Sequence, residues 1–112
     1  MKWLEMIHVR SSATNLEAVM ASLVTEIKEL GESTDAVEML LLQHALYDGD
    51  LAAVIVWKGD RRPAKTREGL LLAERLQRLG TTDHAVWTAA PGFEENMNGK
   101  ENGASCRKGN SR

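Results

Sequence analysis

Apolar residues cluster along the chain in blocks, and the block from Val37 to Lys58, VEMLLLQHALYDGDLAAVIVWK, constrains the fold most. Two apolar runs flank Asp48-Gly49. That is a strong hairpin signal, because a type I′ turn needs positive φ at both central residues. A two-residue turn there pairs Tyr47 with Asp50, Leu46 with Leu51, His44 with Ala53, Leu42 with Ile55 and Leu40 with Trp57. Side chains alternate along a strand. One face then carries Leu40, Leu42, His44, Leu46, Leu51, Ala53, Ile55 and Trp57, and the other Met39, Leu41, Gln43, Ala45, Ala52, Val54 and Val56. Both faces are apolar, whereas a sheet with one wet face alternates apolar with polar. The hairpin is therefore expected to be covered on both sides.

The flanking blocks complete an ordered set of elements. Residues 2–10 alternate loosely and predict a strand with faces Trp3, Glu5, Ile7, Val9 and Leu4, Met6, His8, Arg10. No tight turn fixes which of these faces inward. Residues 14–30 predict a helix, because Leu16, Val19, Met20, Leu23, Val24, Ile27 and Leu30 recur at helical spacing. Thr14 and Glu17 have capping-box spacing, and Gly31 suits the residue after the helix end. A second helix is expected over 66–79, with Thr66 as its cap, Leu72, Ala73, Leu76 and Leu79 on its buried side, and Gly80 ending it. Residues 83–90 predict a last strand, closed by Pro91-Gly92.

The order strand, helix, strand, strand, helix, strand is two split β-α-β units, the ferredoxin-like plan. The expected fold is α+β, a four-stranded antiparallel sheet in order 4-1-3-2 with both helices on one face. Two helices cover only that face. The other apolar face is expected to meet a second copy across a two-fold axis, giving a homodimer. A broad ligand or protein partner is the alternative cover.

Composition narrows the function classes. The 112 residues suit one domain, expected over 1–91, with a polar, disordered tail over 92–112 that holds the single cysteine, Cys106. Net charge is −2 and the sequence pI about 5.9, which gives no electrostatic case for nucleic acid. MKWLEMIHVR lacks the apolar core of a signal peptide, and no apolar run approaches the ~20 residues of a membrane helix. A cytoplasmic protein without membrane contact is expected.

Residues 2–90 resemble the dimeric α/β-barrel superfamily, in particular its antibiotic-biosynthesis-monooxygenase-like domains. The element order, the two-sided hairpin and the run Val54-Ile55-Val56-Trp57 carry the resemblance. It implies a homodimer and a monooxygenase-like activity on a small hydrophobic or aromatic molecule, with no cofactor. Two positions depart from the family pattern. Ala53 stands where cofactor-free members place a substrate-binding Asn, and Pro63 occupies the region of a Tyr used by some. The competing class is a non-enzymatic ligand-binding or regulatory dimerisation module.

Under the register above, His44 and Trp57 share a face. His44 is the candidate base, since imidazole titrates near neutrality, and Trp57, Leu42 and Ile55 are candidate substrate-binding walls. The alternative is a hydrogen-bonded interface histidine beside a core tryptophan. His8 and His84 lie on strands expected to be neighbours, but no third ligand completes a metal site and none is expected. Trp3, Trp57 and Trp87 are expected near one end of the sheet, lining a pocket or filling the core. Arg61, Arg62, Lys65 and Arg67 crowd the start of the second helix, as an anion site or a solvated basic loop.

Overall fold

The computed structural model describes residues 2–12 and 14–92. The tail from Phe93, with Cys106, lies outside the described residues. In chain order the elements are β1 (Lys2–Ser11), α1 (Leu16–Glu32), β2 (Glu38–Gln43), β3 (Asp50–Lys58), α2 (Arg67–Gln77) and β4 (Gly80–Thr88). The sheet order is β2-β3-β1-β4 with every neighbouring pair antiparallel, so the fold is the expected ferredoxin-like α+β plan.

Both helices pack on one sheet face. Its centre is Trp3, Ile7 and Val9 of β1 with Leu51, Ile55 and Trp57 of β3, none more than 1% exposed. Leu23 and Ile27 of α1 and Leu72 and Leu76 of α2 close over them. This settles the facing of β1: the row Trp3, Glu5, Ile7, Val9 points inward. The opposite face carries Met6, Leu40, Leu42, Ala52, Val54 and Trp87 and has no layer over it among the described residues. No described helix is long and apolar enough to cross a membrane.

Several element ends differ from the expectation. α1 starts at Leu16 behind Asn15, which makes no side-chain cap bond, so the Thr14–Glu17 capping box is not its start. Gly31 lies inside α1, and Ser33 ends the helix by giving both its N–H and its hydroxyl to the Leu30 carbonyl. Gly80 opens β4 instead of closing α2. It pairs with Ser11, and a Cβ there would lie 1.9 Å from the Arg10 carbonyl oxygen, so only glycine admits this strand approach. Thr66 caps α2 as expected, accepting from the Gly69 N–H.

The largest correction concerns the hairpin. Asp48 and Gly49 do sit at a turn, closed by the Asp50 N–H to the Tyr47 carbonyl at 3.0 Å. It is not type I′, because Gly92 alone among the described residues has positive φ. Nor does β2 run up to it. β2 stops at Gln43, and His44 pairs across to Asp50 through a 2.8 Å bond. Leu42 therefore faces Ala52, not Ile55, a slip of three positions. An odd slip turns every β2 side chain to the other face.

The chain between is stabilised locally. The His44 Nδ1 accepts the N–H groups of Leu46 at 3.0 Å and Tyr47 at 3.2 Å, and its ring packs 4.9 Å from that of Tyr47. The Gln43 side chain reaches the Asp48 carbonyl at 3.0 Å. These side chains satisfy backbone groups that a continuous ladder would otherwise have paired.

Candidate functional site

Strand alternation places one carboxylate in the apolar layer between sheet and helices. Glu5 follows Trp3 on the inward row of β1, between Ile55 of β3 and Val86 of β4, and it is fully buried. A buried carboxylate is costly unless hydrogen-bonded. Glu5 receives three donors and meets one histidine nitrogen. Its Oε1 accepts the Thr66 N–H at 2.9 Å and lies 3.0 Å from the His84 Nε2. Its Oε2 accepts the Trp57 Nε1–H at 3.1 Å and the Thr66 hydroxyl in a short bond.

Three of these bonds have a defined direction. The Thr66 hydroxyl accepts from the Gly69 N–H, so its own proton goes to Glu5. The Thr66 amide and the Trp57 indole are obligate donors. Donors of this kind favour the charged carboxylate. The His84 Nε2 completes the set, as donor or acceptor according to its tautomer. The α2 start adds a favourable field, since a helix N-terminus attracts negative charge. Of the basic residues before α2, Arg61 pairs with Asp35, and the residue of the helix start that meets Glu5 is Thr66.

Aromatic rings wall this centre. Trp3 and Trp57 stack with centroids 6.0 Å apart and planes 29° from parallel. The Trp3 Nε1–H donates to the Arg61 carbonyl at 2.7 Å and the Lys58 carbonyl at 3.1 Å. The Arg61 guanidinium lies 4.3 Å from the Trp57 ring centre and pairs with Asp35 at 3.1 Å, a cation–π contact that ties the loop to β3. His84, on the edge strand β4, keeps 7% side-chain exposure while Glu5 keeps none. Within the pair, contact with solvent therefore belongs to the imidazole.

The candidate residues read from the sequence are dispersed by the hairpin slip. His44 sits in the exposed turn and does not face Trp57. Leu42 is on the uncovered sheet face at 46% exposure, while Ile55 is fully buried on the helix side. Trp57 is at the Glu5 centre. His8 and His84 point to opposite faces, because His8 pairs with Asp83 and Ile7 with His84, so they share no site. Trp87 lies on the uncovered face, away from Trp3 and Trp57. Sequence reasoning missed Glu5. Its signal was a single acid inside the row Trp3, Ile7, Val9, visible only once that row is known to face inward.

A second polar group lies on the uncovered face. Asp50 is paired with Arg10 at 3.1 Å and lies 3.4 Å from the His8 Nε2. The Arg10 hydrogen bond holds the Asp50 carboxyl below its ordinary value, partly opposed by burial and aided by the charges of Arg10, His8 and His44.

No protein-family model matches the sequence, and no curated protein matches it. Solved structures do resemble the fold. A mutant of SnoaB, a cofactor-independent oxygenase from Streptomyces nogalater, is similar at TM-score 0.58 and 20% identity, over 79% of this chain and 92% of that one. The chain therefore shares its α+β fold with that structure. Rv0793 from Mycobacterium tuberculosis is similar at TM-score 0.56 and 11% identity, over 80% of this chain and 96% of that one. Identities this low establish shared architecture, and the residues at the Glu5 centre must be argued on their own chemistry.

Proposed function

We propose that the protein is a homodimeric, monooxygenase-like enzyme that oxidises a small hydrophobic or aromatic molecule without a bound cofactor. The observation that carries this reading is the fully buried Glu5, in contact with His84 and Trp57 inside an otherwise apolar layer. Replacing a buried ion pair by apolar residues is often neutral or stabilising, so packing alone gives weak reason for such a group.

The chemistry balances without a redox group on the protein. A substrate methylene and O2 give a carbonyl and water, with the substrate supplying all four electrons. The protein's part is to remove a proton, orient the substrate and exclude water. The uncovered sheet face supports the homodimer, since Leu40, Leu42 and Trp87 stand 37%, 46% and 57% exposed on it.

Oxygen uptake with a panel of phenols and hydroquinones tests the reading. Substrate-dependent uptake that is unaffected by chelators is expected. No uptake with any compound would reject the enzyme. One observation favours a second reading, a dimerisation module without turnover: the helix-side interior around Ile7, Ile55 and Trp57 is filled by side chains. That reading predicts a stable dimer with neither uptake nor a thermal shift on adding the same compounds.

A further inference from the structure

We infer that the cleft between Arg10 and Tyr47, at the turn end of the uncovered sheet face, is a binding site for a small aromatic carboxylate. The site is separate from the Glu5 centre and stands whether or not the oxygenase reading holds.

Two distant segments build this cleft. Its volume is about 460 Å3, and Arg10, Tyr47, Gly49 and Asp50 line it. Small-molecule sites span roughly 300–1,000 Å3. The Ser11 N–H fastens the β2–β3 turn against the end of β1 by donating to the Gly49 carbonyl at 2.7 Å. A Cβ on residue 49 would lie 2.7 Å from the Ser11 carbonyl oxygen, so glycine lets the turn come this close. Tyr47 stands on that turn with its side chain largely exposed, and its N–H and its ring both meet His44.

The polar wall is a guanidinium with one edge already taken. Asp50, whose side chain keeps 7% exposure, accepts from the Arg10 Nε at 3.1 Å and from its Nη2 at 3.5 Å. The Arg10 Nη1 has no hydrogen-bond partner among the described residues. A guanidinium carries five N–H donors in a planar fork. With the Nε edge on Asp50, the Nη1–Nη2 edge is left with two donors for a planar acceptor. An exposed arginine–aspartate pair adds little to stability, because ordering a long side chain offsets the attraction. The same ordering serves binding, since the donor edge is set before a ligand arrives.

This arrangement selects the ligand. A carboxylate offers two coplanar oxygens to one fork edge, with the guanidinium standing between it and Asp50. A phosphate dianion meets stronger repulsion from Asp50 and from Asp83, which is opposite His8 on the neighbouring strand. The Tyr47 ring supplies a stacking surface for an aromatic body. Benzoate is the simplest molecule with both parts.

The test is a titration of the full-length protein with benzoate, followed by backbone amide NMR and repeated with benzamide and inorganic phosphate. Benzoate is expected to bind saturably below about 20 mM, with the shifted amides centred on Arg10 and residues 47–50. Benzamide has the same shape without the charge, and is expected to bind at least ~10-fold more weakly. Arg10→Lys keeps the charge and loses the fork, and a loss of at least ~10-fold is expected. Tyr47→Ala leaves the Arg10–Asp50 pair in place, and is expected to weaken benzoate roughly threefold. Both side chains are largely exposed, so neither variant removes core packing.

No saturable shift by that concentration, shifts centred elsewhere, or equal affinity in Arg10→Lys or Tyr47→Ala would each overturn the inference. Benzamide binding as tightly as benzoate would overturn recognition by charge. Phosphate binding more tightly than benzoate would overturn the carboxylate class.

Discussion

Gly69 leaves room for Glu5: a Cβ on residue 69 would lie 2.1 Å from the Glu5 Oε1 and 2.7 Å from its carboxyl carbon. Alanine usually stabilises a helix position by roughly 1 kcal/mol over glycine. Here the sign is expected to reverse. Glu5 is fully buried and held by four hydrogen bonds, so it cannot swing away without breaking them. Gly69→Ala should cost at least ~2 kcal/mol, a fall in Tm of about 8 °C or more. Gly31→Ala is the control, because its Cβ would meet only the Met39 sulfur at 3.6 Å inside α1. That variant should melt slightly higher. A Gly69→Ala protein as stable as wild type would show that Glu5 is not locked in place.

The bond from Trp57 to Glu5 can be removed without removing the ring. Trp57→Phe keeps most of the stack on Trp3 and deletes the Nε1–H that donates to Oε2. Hydrogen bonds to charged groups contribute about 1.5–3 kcal/mol. A Tm loss of roughly 6–12 °C is therefore expected. Trp57→Phe should also couple with Glu5→Gln in a double-mutant cycle, since both touch one network. Additive losses would mean that the indole N–H contributes nothing to holding the carboxylate.

The fold was largely legible in the sequence because its signals were local and redundant. Helical spacing found α1 and α2, and the order of elements gave the antiparallel sheet β2-β3-β1-β4. The candidate site was not legible, for two physical reasons. His44 caps its own turn through Nδ1, a local competition between side chain and ladder that no periodicity reveals. It displaces β2 by an odd number of residues and so separates His44 from Trp57. The Glu5 centre joins β1, β3, α2 and β4 through contacts up to 79 residues apart, and sequence spacing says nothing about such assembly.

Asp50 predicts a specific acid response. Arg10 lowers its folded-state value below that of the unfolded chain, about 3.9 for an aspartate. A group depressed on folding adds stability that is fully present above the unfolded value and is lost as pH falls through the folded one. Asp50→Asn should therefore melt below wild type at neutral pH. The gap should close progressively below about pH 4. Arg10→Ala should close part of the same gap. Melting curves for the three proteins across that range check it, and a gap that widened on acidification would contradict the pairing.

The uncovered sheet face makes the last prediction. Leu42 is 46% exposed there, so glutamate at that position should change the subunit's own stability by no more than about 0.5 kcal/mol. In a dimer built face to face, the same change drives two like-charged carboxylates into an apolar seam, where burial without a partner costs several kcal/mol. Sedimentation should show wild type at about twice the subunit mass of 12.4 kDa and Leu42→Glu at the subunit mass, with unchanged circular dichroism. Leu70→Glu is the control, since Leu70 is 53% exposed on α2 on the other side of the molecule. A Leu42→Glu protein that stays dimeric would place the interface elsewhere, and a monomeric wild type would leave the apolar face to a different occupant.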